Sequence, residues 1–122
     1  GSEYVSRIQD LPLQKKLLIA LFAVYHKIYE SKEVSVENFQ KWFKGFSRGR
    51  LGARIPLIRT LDPTSTHFID LLTGICENGL ISLSKAKRTA KRKIRLVCRT
   101  SDVKFAMEPI RHLKQLLEET EV

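Results

Sequence analysis

The chain has 122 residues, 43% of them hydrophobic, and a formal net charge of +9. This composition predicts one globular domain that buries an ordinary core, and it argues against a disordered chain. The longest apolar run, residues 17–25, is too short to span a bilayer. Residues 1–2 resemble a cloning scar, so the predicted domain covers residues 3–122.

The first predicted helix follows Asp10 and runs to about Tyr29. Asp10 is a candidate N-cap, and Pro12 falls in the first turn, where its missing N–H costs nothing. Residues 31–34 form a short connector that could pair as an edge strand. Apolar residues at helical spacing predict that this helix belongs mostly to the core: Leu17, Leu18, Leu21, Phe22, Tyr25 and Ile28.

A second helix is predicted from Val36 to about Phe46, with Ser35 as its N-cap. Two interpretations of its aromatic residues stay open. Either all of them fill the core, which we favour, or Trp42 and Phe43 form an aromatic surface beside Lys41 and Lys44. The aromatic residues on its broad apolar face are Phe39, Trp42, Phe43 and Phe46.

Residues 48–63 are predicted to be irregular, because two glycines and two prolines interrupt them. Their apolar residues are too numerous for a free linker, so they must pack onto the domain or contact another molecule. These apolar residues are Leu51, Ile55, Leu57, Ile58 and Leu61.

The chain is organised around residues 64–99. A helix over residues 65–77, capped by Thr64 or Ser65, ends at the Asn78-Gly79 pair. Two alternating segments follow, residues 80–84 and 94–99, joined by a basic loop. A helix that leads into a two-stranded hairpin with a cationic loop is typical of a winged helix, in which this loop is the wing.

The C-terminal part predicts a helix over residues 102–107 with Ser101 as N-cap, and another over residues 109–119. The last helix is amphipathic, with Ile110, Leu113, Leu116 and Leu117 along one side. The predicted fold is therefore mainly α with a small β-hairpin, a winged helix-turn-helix with an additional C-terminal helix.

The positive charge is concentrated in two blocks. Residues 85–99 contain eight Lys or Arg and no acid, and residues 41–59 contain six and no acid. Such blocks favour a surface for polyanions, although a solvated exterior remains the alternative. The candidate phosphate contacts are in the wing: Lys85, Lys87, Arg88, Lys91, Arg92 and Lys93.

The sequence does not predict an enzyme. It has no Gly-rich phosphate loop, no nucleophile elbow and no paired carboxylates for acid–base chemistry. The cysteines, Cys76 and Cys98, fall on apolar faces and are expected to be buried thiols in a reducing compartment. No histidines stand at ligand spacing, so neither a metal nor a cofactor is expected.

Sequence-specific reading of DNA is poorly supported. In helix-turn-helix proteins the helix before the wing presents Arg, Lys, Asn or Gln to base edges. The corresponding helix here has no Lys or Arg, and its main polar residues are His67, Asp70, Thr73 and Glu77. The wing and the basic segment before this helix could still contact phosphates without sequence preference.

These residues resemble the C-terminal winged-helix domain of the origin recognition complex AAA+ subunits and the related helicase loader. The resemblance rests on residues 11–18, on the helix ending at Asn78-Gly79-Leu80-Ile81, on the basic hairpin, and on residues 94–107. Within this family the chain looks most like the silent information regulator branch of budding yeast. The resemblance to that branch implies a nuclear homodimerisation module that links nucleosome-bound molecules into heterochromatin.

Two hypotheses therefore compete. The first is a homodimeric protein–protein interaction module in silent chromatin, with other silencing proteins as further partners. The second is a DNA-binding module of a replication-origin protein that contacts DNA or nucleosomes through its wing. We favour the first, because apolar residues outside the minimal fold exceed its apparent needs. The predicted dimer residues are Leu51, Ile55, Leu57, Ile58, Leu61, Ile110, Leu113 and Leu117.

Overall fold

The computed structural model describes residues 2–122, with side chains from residue 3 onward, so Gly1 of the predicted scar lies outside the described residues. Two short 3₁₀ turns cover Pro56–Thr60 and Thr89–Lys91. The helices are α1 (Ser2–Gln9), α2 (Leu13–Tyr29), α3 (Val36–Arg48), α4 (Arg50–Arg54), α5 (Thr66–Glu77), α6 (Thr100–Met107) and α7 (Arg111–Glu119).

Three strands form one antiparallel sheet in the order β1 (Glu33–Ser35), β3 (Lys93–Leu96), β2 (Ile81–Leu83). The register places Val34 and Leu83 on either side of Ile94. Helix α5 leads directly into the β2–β3 hairpin, whose connection is the wing. The protein is therefore a winged helix with added helices, as predicted, and the predicted edge strand β1 is confirmed.

Side-chain caps mark the starts of α3 and α5. The Oγ of Ser35 accepts the Asn38 N–H at 3.2 Å, and the Oγ of Ser65 accepts the Phe68 N–H at 3.2 Å. Both predicted caps are thus confirmed, with Ser65 rather than Thr64 at α5. After α5, Gly79 has φ of 72°, a left-handed conformation that glycine adopts without steric cost.

Two predicted N-caps are wrong. Helix α2 begins after Pro12, whose extended backbone precedes Leu13, so Asp10 lies too early in the chain to cap it. Helix α6 begins at Thr100, and its N-terminus is satisfied differently from the prediction. The carboxylate of Asp102 accepts the backbone N–H of Arg99 at 3.2 Å. Ser101 lies inside the helix and does not cap it.

Helix α2 is the centre of the core. Residues 17–24 are all buried, which means that this part of the helix has no solvent-facing side. Helices α5, α6 and α7 pack against it, and α1 packs against α6. Helix α1, whose Ile8 is fully buried, was not predicted from the sequence.

The predicted dimer surface is wrong for five of its eight residues, which lie in the core of the single chain. Ile55, Ile58, Leu61, Leu113 and Leu117 are at most 3% exposed, and Leu116 is fully buried. Leu51, Leu57 and Ile110 are partly buried against the same core. The larger fold, with α2 enclosed by several helices, uses both apolar sets.

The segment between α3 and α5 is held closely to the domain. A Cβ on Gly52 would lie 1.8 Å from the carbonyl oxygen of Ser47, so only glycine lets α4 approach the end of α3 this closely. An ion pair between Arg54 Nη1 and Glu119 Oε1, at 2.6 Å, joins α4 to α7. The segment that was predicted to be irregular is therefore a packed helical turn and a 3₁₀ turn.

Candidate interaction surfaces

The wing brings the six predicted phosphate contacts together on one connection. Lys85, Lys87, Arg88, Lys91 and Lys93 are exposed, and Arg92 is half-buried. The base of the wing is closed by hydrogen bonds, since Arg92 Nε donates to the Ser84 carbonyl oxygen at 2.8 Å. The Lys93 N–H also donates to Ser84 Oγ at 2.7 Å. The wing is thus a defined loop that presents cations to solvent.

The wing also docks on the N-terminus of α3. The Val36 N–H donates to the Arg92 carbonyl oxygen at 2.9 Å, and Lys91 Nζ lies 2.6 Å from Glu37 Oε1. The hydrogen bond from Lys91, with nearby Arg88 and Lys93, lowers the pKa of Glu37. One of the six cations is therefore already paired, whereas the described residues offer no ion pair to Lys85, Lys87, Arg88 or Lys93.

Helix α5 exposes no cation, as the sequence indicates. The N-terminal turn of α2 lies against α5. His67 Nε2 lies 3.0 Å from Gln14 Oε1, and the Lys15 ammonium crosses the helix so closely that a Cβ on Gly74 would lie 2.6 Å from it. The exposed side chains of α5 are Thr66, His67, Asp70, Thr73 and Glu77.

Four aromatic side chains of α2 and α3 form a continuous, partly exposed surface. The Tyr29 ring, 53% exposed, lies 4.5 Å from the Tyr25 ring. Tyr25 meets Trp42 edge-on at 5.3 Å, and Trp42 stacks on Phe46 at 4.9 Å. We call Tyr25, Tyr29, Trp42 and Phe46 the aromatic strip. The core interpretation is confirmed for Phe39 and Phe43, which are fully buried, so the surface interpretation is wrong for Phe43 and fits only Trp42.

The aromatic strip is electrically neutral. Burial raises the pKa of Tyr25, and neighbouring Tyr29 adds to the rise, so the Tyr25 phenol stays protonated. On the same face of α3, Gly45 lies three residues after Trp42 and next to Phe46. Nothing lies within 4 Å of the position that a Cβ on Gly45 would take, so the surface beside the rings is open. Such a surface suits contact with another protein.

Of the four residues of this strip, only Trp42 was predicted from the sequence as part of a possible surface. The periodicity of α2 placed Tyr25 in the buried stripe and gave Tyr29 no role. A signal does exist, since tyrosines at the end of a helix keep a polar hydroxyl near solvent while their rings pack. The alignment of those rings with Trp42 depends on how α2 packs against α3, which periodicity does not give.

No family model matches this chain, and a search of curated proteins finds no match. Within residues 2–122, no helix is long and apolar enough to cross a membrane. No group of three or more His, Cys, Asp or Glu is placed to hold a metal ion in the described part of the chain.

Proposed function

We propose that this chain is a non-catalytic winged-helix module that pairs with a second copy of itself through the aromatic strip, in a nuclear protein of silent chromatin. The observation that carries the pairing is the continuous strip of partly exposed rings on α2 and α3, of which Tyr29 is the most exposed. The chromatin setting, including further silencing proteins as partners, rests on the resemblance to the silent information regulator branch.

The strip has the composition of a protein-binding surface. Aromatic residues are enriched at interfaces, where their large area is removed from water at little cost in side-chain entropy. An α5 without cations further favours a protein partner over a DNA groove. Pairing with an identical copy needs only one self-complementary patch, and closed two-fold dimers are the commonest oligomers.

Charge at the two ends of the strip supports a two-fold arrangement. Glu30 follows Tyr29 at one end, and Arg48 follows Phe46 by two residues at the other. Both are exposed, and the ion pairs of the described residues involve neither. Two strips crossing in opposite directions would bring Glu30 of each copy towards the other end of the partner's strip, where Arg48 lies.

Gly45 offers a sharp test, because a longer side chain there enters open space without touching the core. Gly45→Gln should stabilise α3, since Gln is a better helix former by up to about 1 kcal/mol. The same side chain should hold two strips apart. Sedimentation equilibrium at about 50 µM should therefore show a dimer for the wild type and a monomer for Gly45→Gln.

The matched control is Thr73→Gln, an exposed position on α5. It adds a side chain of the same type to a helix outside the strip, and it should leave the dimer intact. A monomeric wild type at this concentration would refute the proposal. A Gly45→Gln variant that dimerises as well as the wild type would move the interface away from the strip.

The second candidate function is DNA binding through the wing, favoured by the four exposed cations without ion pairs. Because phosphate contacts carry no sequence information, this binding should be nearly independent of sequence. Competition among duplexes should show preferences below about a hundredfold, or about 2.7 kcal/mol. A stronger preference for one sequence would contradict the absence of base readout by α5.

A further inference from the structure

A second basic surface lies apart from the wing loop. A groove of about 730 Å³ opens between the end of β3, the N-terminus of α6 and the connection from α2 to β1. Its cationic side chains come from two parts of the chain, Lys32 from one and Arg95 and Arg99 from the other. The basic block at residues 85–99 is therefore divided between the wing and this groove. We call it the cationic groove, and its main lining residues are His26, Lys32, Arg95, Val97, Arg99 and Ser101.

The cations of the groove are available for a ligand. Lys32, Arg95 and Arg99 are exposed, and none takes part in the ion pairs that the described residues form. Two carboxylates lie nearby. Glu33 stands opposite Arg95 in the β1–β3 register, and Asp102 accepts the backbone N–H of Arg99. Among the residues that line the groove, three are cationic and none is acidic.

His26 adds a further polar group to the wall. Its Nδ1 lies 2.9 Å from the Ser31 carbonyl oxygen, and a carbonyl only accepts, so Nδ1 carries the proton. This leaves Nε2 as the ring nitrogen without an assigned partner. The hydroxyls of Ser82, Thr100 and Ser101 also line the groove and can donate to an oxygen-rich ligand.

The groove also has an apolar component that a nucleic-acid backbone would leave unused. Val97 is 45% exposed and stands between Arg95 and Arg99 in the sequence. Residues 95 and 97 are two apart in an extended segment and therefore share one face. Leu96, which lies between Arg95 and Val97 in the sequence, also lines the groove. A groove in which cations alternate with apolar side chains is complementary to a peptide in which carboxylates alternate with apolar side chains.

We propose that the cationic groove binds an acidic peptide segment of a different protein. Carboxylates of the segment pair with Lys32, Arg95 and Arg99, while one of its apolar side chains covers Val97. The concave shape favours a single peptide chain over duplex DNA, whose rigid cylinder meets protruding surfaces such as the wing. The groove adjoins the aromatic strip, because Tyr25 of the strip lines a small pocket together with His26, Lys32 and Leu96 of the groove.

The test uses fluorescence anisotropy with a short labelled peptide of alternating glutamate and leucine. A peptide with glutamine in place of glutamate controls for apolar binding, and a labelled duplex oligonucleotide controls for polyanion binding. The double variant Arg95→Gln and Arg99→Gln should weaken glutamate-peptide binding about fivefold or more, because it removes two cations that pair with the peptide. Duplex binding should fall by a smaller factor.

The matched control neutralises two wing cations, Lys87→Gln and Arg88→Gln, with the same change in net charge. It should reduce duplex binding and leave peptide binding within about twofold. Glu33→Gln should tighten peptide binding by about twofold, because it removes a repulsive carboxylate beside Arg95. Thermal melts serve as the check that each variant remains folded.

Three outcomes would overturn the proposal. The wild type could fail to bind the glutamate peptide. The groove and wing double variants could weaken peptide binding equally, which would show attraction to net charge alone. The groove variant could lose duplex binding while it keeps peptide binding, which would make the groove a nucleic-acid site.

Discussion

The wing and the aromatic strip are both anchored on α3, yet they expose opposite chemistry. The wing docks at the N-terminus of this helix through Val36 and Glu37, and it presents cations. The strip uses Trp42 and Phe46 further along the helix, and it presents neutral rings. Attraction between the wing and a polyanion weakens as salt rises, whereas apolar pairing of strips does not. Salt therefore distinguishes the two surfaces.

The largest expected effect is the loss of stability when a charge replaces an apolar residue of the core, compared with the same change at an exposed apolar residue. Ile58→Asp and Leu113→Asp each place a charge at a fully buried position. Each should lower the free energy of unfolding by about 4 kcal/mol or more, and so unfold much of the protein. Denaturant titration measures this.

Phe105 provides the control for that comparison. Its side chain is 68% exposed on α6, so Phe105→Asp should change the unfolding free energy by about 0.5 kcal/mol or less. If Ile58→Asp were as harmless as Phe105→Asp, the packing of the segment between α3 and α5 described above would be wrong.

Removal of wing charge should affect DNA and leave the pairing of two copies unchanged. Replacement of Lys87, Arg88, Lys91 and Arg92 by Ala should make the log–log dependence of DNA affinity on salt shallower, by roughly 0.9 for each phosphate that is no longer neutralised. Filter binding at several salt concentrations measures the slope, and sedimentation checks the dimer. An unchanged slope would exclude phosphate contacts by these four residues.

Removal of the ion-pair partner of Lys91 should change DNA binding by a smaller amount and in the opposite direction. In Glu37→Gln, Lys91 is freed from its ion-pair partner and becomes available to phosphate. DNA affinity at low salt should rise by about two- to threefold, and the salt slope should steepen by at most about one unit. Lys114 pairs with Glu108 at a separate site, so Glu108→Gln is a matched control that should not change DNA binding.

The smallest effect concerns the buried end of the hairpin that carries the wing. Burial raises the pKa of the Cys98 thiol from 9.0 to about 11, and nearby Asp102 adds to the rise. The thiol therefore ionises in the unfolded chain before it ionises in the folded one. This contribution to stability is complete below about pH 9 and disappears as pH rises towards about 11.

Cys98→Val lacks an ionisable group, so its unfolding free energy should fall less between about pH 8.5 and about pH 10.5 than that of the wild type. Other titrating groups are shared by both proteins and cancel in the difference. Denaturant titrations at both pH values measure it. Parallel pH profiles would indicate that the thiol reaches solvent.

The sequence predicts the winged helix well because its signals are local. Ser35 and Ser65 cap their helices through side-chain hydrogen bonds, and Gly79 provides the left-handed residue that ends α5. The alternation of apolar residues in β2 and β3 also determines which side chains face the core. Each of these features depends on residues only a few positions apart.

The dimer surface could not be located from the sequence, because burial depends on long-range packing. A count of apolar residues shows how many side chains favour burial, but it does not show how many of them the folded core can bury. Helix α1, which was not predicted, adds Ile8 to that core. Ile58 and Leu113 are also buried there, in the elements that surround α2. The strip combines rings from two helices, so its continuity follows only from their packing.

The most direct test of pairing through the strip uses Trp42, which is the only tryptophan in the chain. We expect its fluorescence emission to shift to longer wavelength as the protein is diluted, because separation of two copies exposes the indole ring to water. The shift should follow the same dilution curve at low and high salt. An emission maximum that stays constant while sedimentation reports dissociation would contradict pairing through the strip.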